Sequence, residues 1–175
     1  MPRFATILQG DLPPPAGGGC SNKRMRLNAA STHQIRLANI DDVAAIFHVR
    51  TAVTENVLTL QQLAELGVTP QAVCEIIRSA SCIWVAEVNG AVVGFAMVEP
   101  DSACLFAAFV LPEHEGRGIG RALVAVCEAA LFRGNALAWL ETDGRSRAAG
   151  FYRHLGWSHA ADLDDGDVRL EKRRA

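Results

Sequence analysis

Two kinds of hydrophobic spacing divide the first half of the chain into strands and helices. Apolar and polar residues alternate over Gln34–Ala38, which predicts a short strand, and Asn39 or Asp41 then offers a cap for a helix. Leu60–Leu66 predicts a second helix. A third helix is predicted to begin at Thr69-Pro70, because threonine is a good N-cap and proline is tolerated in the first helical turn.

A meander of three strands is predicted next. Cys82–Val88 is rich in β-branched and aromatic residues, and Asn89-Gly90 is a favoured two-residue turn between antiparallel strands. Ala91–Glu99 returns along the first strand, and Ala103–Val110 forms the third after another turn. The middle of the chain is therefore expected to form an antiparallel sheet.

Helices and strands alternate in the C-terminal part. A glycine-rich turn, Gly116–Gly120, opens a long helix that is expected to end near Gly134. The elements that follow are a strand, a helix and a closing strand pair: Leu137–Thr142, Ser146–Leu155, Trp157–Ala160 and Val168–Glu171. Strands followed by alternating helices and strands describe a mixed α/β fold.

The first 32 residues differ in composition from the rest of the chain. Seven of the ten residues from Gly10 to Gly19 are glycine or proline, and no helical or strand period is present. We therefore predict a flexible tail over residues 1–32 and one domain over residues 33–175. A chain of 175 residues, half of them hydrophobic, is long enough to bury a core of its own.

Overall charge and cysteine content exclude several classes of protein. Net charge is −2, so neither nucleic acid nor an anionic membrane surface is expected as a partner. The longest apolar runs are about eight residues, whereas a transmembrane helix needs roughly twenty. Five cysteines are widely spaced without a C-x-x-C pair. We expect reduced thiols in a cytoplasmic protein, and neither a zinc site nor a disulfide framework.

The glycine-rich turn is the segment that indicates chemistry. It follows a strand and opens a helix, whose first N–H groups lack partners inside the helix and attract phosphate. Glycine lets the backbone approach an anion closely, and Arg117 and Arg121 add positive charge. The P-loop of nucleotide hydrolases would need Lys-Ser or Lys-Thr, and a dinucleotide fold would need another glycine spacing. A tight turn without any ligand is the alternative left open.

Two motifs resemble the GNAT superfamily of N-acetyltransferases. The family signature Q/R-x-x-G-x-G/A is matched by Glu115-Gly116-Arg117-Gly118-Ile119-Gly120, at its expected place after the fourth strand. Glu115 stands where the family usually has Gln or Arg. A second family segment, A-x-x-F/L-Y-x-x-x-G-F/W, is similar to Arg147–Trp157, and the resemblance spans residues 34–171.

The resemblance implies a fold and a cofactor. The fold is a mixed, mostly antiparallel central sheet of about seven strands, flanked by helices and splayed in the middle to hold acetyl-CoA. In this family the glycine turn holds the cofactor pyrophosphate, and backbone groups near Val110 hold the pantetheine arm; no metal is implied. The expected cofactor-binding residues are Phe109, Val110, Glu115, Gly116, Arg117, Gly118, Ile119, Gly120, Arg121 and Phe151.

The resemblance also implies direct transfer of an acetyl group to a primary amine of a small molecule or protein. Tyr152, the only tyrosine in the chain, is expected to protonate the departing thiolate. Glu141, at the end of a strand, is put forward as the general base, with Glu55, Glu99 and His114 as the other candidates.

The acceptor and the assembly are less constrained by the sequence. Thr54, Glu55 and Asn56 are the polar residues expected near the acceptor, because appended helices and loops usually carry specificity. The alternative function is a non-catalytic acyl-CoA-binding sensor or an interaction module on the same fold. A homodimer is left open.

Overall fold

A computed structural model describes residues 33–174 and shows one seven-stranded sheet in this part of the chain. The strands are β1 Gln34–Leu37, β2 Ile83–Val88, β3 Ala91–Glu99, β4 Cys104–Val110, β5 Leu137–Asp143, β6 Ser158–Asp162 and β7 Asp167–Arg173. Their order across the sheet is β1-β2-β3-β4-β5-β7-β6. The predicted tail, residues 1–32, lies outside the described residues.

The sheet consists of two antiparallel parts that meet at one parallel contact. The first part is β1–β4, and the second is β5, β7 and β6. β4 and β5 pair only at Cys104 and Trp139, where the Trp139 N–H donates to the Ala103 carbonyl over 3.0 Å. Beyond this pair the two strands diverge. The predicted mixed, mostly antiparallel sheet is confirmed.

Helices cover both faces of the sheet. They are α1 Val43–Ala52, α2 Leu60–Glu65, α3 Pro70–Ser79, α4 Ile119–Leu131 and α5 Arg147–His154. Side chains alternate between the faces of a strand. Phe95 and Met97 of β3 face a cavity that α1 also lines, whereas Gly94 faces Leu123 of α4. α1 and α4 therefore pack on opposite faces.

Short polar side chains start the helices where the sequence predicted them. The Thr69 hydroxyl accepts the Ala72 N–H at the start of α3. Asn39 caps a single 3-10 turn, Ile40–Asp42, that leads directly into α1. Asp41, the alternative cap, lies inside this turn. The extra turn escaped prediction because three residues are too few to show a period.

One ion-pair network ties β1 to the start of α1. Arg36 donates to both carboxylate oxygens of Asp42, over 2.7 and 2.8 Å, and its Nε donates to Glu87 over 3.0 Å. The Asp42 side chain is only 7% exposed. The hydrogen bonds from Arg36 lower the pKa of Asp42, so this carboxylate stays ionised when most aspartates begin to take up protons.

Within residues 33–174, none of the helices combines the length and the apolar character needed to cross a bilayer. The cysteines of this part of the chain, Cys74, Cys82, Cys104 and Cys127, are all free thiols. A cytoplasmic location stays a prediction.

Candidate active site

The divergence of β4 from β5 opens a cleft of about 460 Å³. Its walls are the end of β4, the glycine turn, the start of α4, the end of β5, α5 and the segment after α1. Leu111 donates its N–H to Val93 of β3 over 2.8 Å. Because backbone groups alternate sides along an antiparallel strand, the N–H of Val110 points away from β3 and toward the cleft.

The glycine turn forms one end of this cleft. Gly116 and Gly118 have positive φ angles of 71° and 82°, a backbone conformation that suits glycine and that side chains with a Cβ rarely adopt. Gly118 is the N-cap of α4, and a Cβ at either glycine would meet open space. The first helical N–H groups of α4 therefore lie beside accessible volume, which is the arrangement of an anion site.

Most of the residues predicted to bind the cofactor line the cleft. These are Phe109, Val110, Glu115, Gly116, Gly118, Gly120, Arg121 and Phe151. Gly120 packs closely on the Phe151 ring, since its Cβ position would lie 3.4 Å from Phe151 Cζ. Two predicted residues lie elsewhere: Ile119 is buried in the core, and Arg117 is exposed outside the cleft.

Arg147 joins two acidic residues across the mouth of the cleft. Its guanidinium donates to the Glu115 carboxylate and lies 3.7 Å from that of Glu55. The hydrogen bond with Glu115 raises the pKa of Arg147. Sequence reasoning did not place Arg147 in the cofactor site. The sequence did contain a signal for this ion pair. Glu115 is an acid in the first motif, where the family usually has Gln or Arg, and Arg147 in the second motif is a base that can pair with it.

Tyr152 is buried and lines the cleft. Ser146 caps α5 by accepting the Ala149 N–H, and the helix then carries the Tyr152 ring to Phe151 and Trp157, with ring centroids 5.3 and 6.1 Å away. Burial, and then the nearby thiols of Cys127 and Cys104, raise the pKa of Tyr152. The hydroxyl therefore keeps its proton at neutral pH, as a proton donor must.

The buried thiols are poor nucleophiles. Burial raises the pKa of Cys104 to about 12, with Glu99 and Glu141 adding to the effect, and burial also raises the pKa of Cys127. A thiol attacks as its thiolate, which is scarce at such values. This favours direct transfer over an acyl-enzyme on either cysteine.

The candidate bases lie in different places. Glu55 and His114 line the cleft, and the buried Nδ1 of His114 has no hydrogen-bond partner within residues 33–174. Glu141 lies outside the cleft lining, where it accepts a hydrogen bond of 2.8 Å from Arg169. Glu99 is exposed at the end of β3. Glu141 as the base stays a prediction.

The polar residues expected near the acceptor, Thr54, Glu55 and Asn56, all line the cleft. Asn56 has a φ of 58°, in the left-handed region, and its side chain is buried. Across the described part of the chain, no group of His, Cys, Asp or Glu side chains is arranged to hold a metal ion.

Comparison with solved structures shows which class of protein has this fold. A PaiA N-acetyltransferase from Thermoplasma acidophilum, in complex with coenzyme A, has a TM-score of 0.68 and 18% identity, over 82% of this chain and 99% of that one. YncA from Salmonella typhimurium, a putative acetyltransferase with its cofactor acetyl-CoA, has a TM-score of 0.60 and 22% identity, over 81% and 93%. The ribosomal-protein-S18-alanine N-acetyltransferase from Escherichia coli has a TM-score of 0.61 and 22% identity, over 81% and 94%. This chain therefore shares its fold with these three proteins.

The amino-acid sequence itself also matches a protein family. Residues 79–159 match the model of the acetyltransferase (GNAT) domain, a stretch that contains the glycine turn and Tyr152. No curated protein matches the chain by sequence. The match and the shared fold confirm the resemblance to the GNAT superfamily.

Proposed function

We propose that the protein is an N-acetyltransferase that moves the acetyl group of acetyl-CoA to a primary amine. One observation carries the proposal: a single cleft brings together a glycine turn at a helix N-terminus, a strand edge facing the gap and a buried tyrosine. Structures with the same fold that contain coenzyme A or acetyl-CoA support it.

The residues of the cleft fit such a cofactor. The open space at Gly116 and Gly118 allows a diphosphate to reach the backbone N–H groups of α4, with Arg121 beside them. The backbone groups of Val110 would bind the amides of the pantetheine arm as an added strand does. When bound, acetyl-CoA supplies an activated thioester.

Each residue around the thioester position would then have its own role in the transfer. The Val110 N–H would stabilise the negative charge that develops on the acetyl oxygen. Tyr152 would donate a proton to the departing sulfur, and the walls of the cleft would hold the amine close to the carbonyl carbon. Glu141 stays the predicted base, and the candidates that line the cleft, Glu55 and His114, are to be tested beside it.

Thiol release from acetyl-CoA, measured against a panel of primary amines, tests this function. We expect release that depends on the amine and that is saturable in both substrates. Acetyl-CoA binding without release for any amine would instead favour the sensor. Failure to bind acetyl-CoA at all, measured by calorimetry on the full chain, would contradict both functions.

A further inference from the structure

A second cavity adjoins the cleft at Phe109. Its volume is about 60 Å³, and its lining is apolar except for one residue, Arg50 of α1. Leu63 of α2, Val73 of α3 and Met97 of β3 are among the side chains that surround it. Phe109 lines both this cavity and the cleft, so the two spaces share this residue.

Arg50 is buried without a charged partner. It is only 4% exposed, and among residues 33–174 no carboxylate lies within ion-pair distance of it. Its Nη1 donates to the Asn56 carbonyl over 3.0 Å, and its guanidinium carbon lies 4.8 Å from the centre of the Phe109 ring. Nε and Nη2 are buried and have no hydrogen-bond partner in this part of the chain. Burial lowers the pKa of Arg50 to about 10, which leaves the group charged at neutral pH.

The two unpartnered nitrogens of Arg50 form one edge of the guanidinium. This edge presents two parallel N–H groups, spaced to bind both oxygens of a single carboxylate. Asn56, which lines the cleft and is 7% exposed, adds a third buried donor, because its Nδ2 also lacks a partner. All three unsatisfied groups are donors, so the group that would satisfy them must accept hydrogen bonds, as a carboxylate does.

We propose that the acceptor amine also carries a carboxylate, and that this carboxylate binds Arg50 and Asn56 where the two cavities meet at Phe109. The apolar lining of the second cavity then selects an apolar body, and the cleft receives the amine. The substrate class is a small apolar amino acid. This assignment rests on the proposed acetyl transfer, and it names the acceptor that the transfer uses.

Matched pairs of acceptors test the assignment on the full-length protein. Thiol release is measured with leucine and leucinamide, and with valine and valinamide. Each pair differs only at the carboxyl group, and the amide carries the less basic amine, which by itself favours the amide. We expect the amino acid to have the higher kcat/KM by tenfold or more in each pair.

Variants of the two donor residues then locate the effect. Arg50→Lys keeps the positive charge and removes the bidentate edge, so we expect the preference for leucine over leucinamide to fall tenfold or more. Asn56→Asp places a negative charge beside the proposed carboxylate and should lower the preference in the same direction. Arg78→Met, at an exposed arginine of α3, is the matched control and should retain it. If Arg50→Lys does not fold, Asn56→Asp and the paired acceptors still test whether the carboxylate binds at this site.

The failures of the two proposals are distinguishable. Equal kcat/KM for acids and amides would overturn the carboxylate site while leaving acetyl transfer in place. If no amine releases thiol, acetyl transfer fails, and the melting temperature reports on the site directly. In that case, carboxylate binding would be supported if leucine raised the melting temperature, leucinamide did not, and Arg50→Lys abolished the effect of leucine. An equal rise with inorganic phosphate, or no rise, would overturn it.

Discussion

The Arg147 guanidinium contacts the Glu115 carboxylate and so links the start of α5 to the glycine turn that opens α4. An acidic side chain beside a diphosphate site would ordinarily repel the ligand. Here the base neutralises the acid before the ligand arrives. Both side chains are substantially exposed, so solvent and salt screen the interaction, and its effect on binding is modest.

Glu115→Gln is expected to tighten acetyl-CoA binding by about threefold at low salt, because it removes the negative charge and frees Arg147 for the ligand. Arg147→Gln is expected to weaken binding by a similar factor. Calorimetric Kd values at two salt concentrations check both changes. Glu113→Gln, at an exposed acid of the same loop, is the control. A Kd for Glu115→Gln that is unchanged at low salt would show that the pair lies away from the bound phosphates.

Gly118→Asp is expected to weaken acetyl-CoA binding by tenfold or more. The position has a left-handed φ, which Asn and Asp tolerate better than other residues, and its Cβ would face the open end of the cleft. Gly118→Asn introduces nearly the same shape without the charge, so the difference between the two variants isolates repulsion. Calorimetry on both variants, with Gly134→Asp as a control beyond α4, makes this measurement. Equal affinities for Gly118→Asp and wild type would rule out the anion site.

Tyr152→Phe is expected to preserve acetyl-CoA affinity and to lower kcat by about 10²-fold, the scale of a positioned proton transfer. The ring contacts with Phe151 and Trp157 do not involve the hydroxyl, so packing should survive the substitution. Because burial raises the pKa of Tyr152 above its ordinary value of 10.0, wild-type kcat should not decline through this group at mildly alkaline pH. A kcat loss below about fivefold would assign the tyrosine to packing and leave water as the proton donor.

Asp42→Asn is expected to destabilise the protein by about 2 kcal/mol at neutral pH, because it removes charge-assisted hydrogen bonds from Arg36. The pKa of Asp42 is lowered in the folded state. Its stabilising contribution is therefore complete above the ordinary value of 3.8 and is lost as the pH falls through the folded value. Urea unfolding between pH 2 and pH 7 should show the two proteins converging in acid. Asp41→Asn, at the exposed neighbour, should change little at any pH.

Local signals predicted most of the fold. Thr69-Pro70 and Asn89-Gly90 place a helix start and a strand turn through their own backbone preferences, and both occur where the sequence indicated. The order in which β7 lies between β5 and β6 has no such local signal. It depends on contacts between segments far apart in the chain, and the local spacing of hydrophobic residues does not reveal such contacts.

The same distinction between local signals and long-range contacts applies to the candidate site. The glycines of the turn are recognisable from spacing, because their backbone angles require that residue type. The pairing of Arg147 with Glu115, and the burial of Arg50 against Phe109, join residues more than thirty positions apart. In the sequence, Arg50 falls at helical spacing with the apolar residues Val43, Ile46 and Phe47 of α1, and the spacing does not show what its guanidinium contacts. Only packing reveals that two of its donors are enclosed without a partner.

Because β4 and β5 pair only at Cys104 and Trp139, the two antiparallel parts of the sheet are joined at one end, and a gap separates the rest of these two strands. The Trp139 indole N–H donates to the Ser102 carbonyl over 2.7 Å and so links the two parts at one end of the gap, while Arg169 stacks on the Trp139 ring within the second part, 4.1 Å from the ring centre. In the proposed function, the pantetheine arm would fill the gap between β4 and β5 as an extra strand. The cofactor would then be a structural member of the sheet as well as a reactant, and its arrival would stiffen β5–β7 along with the cleft.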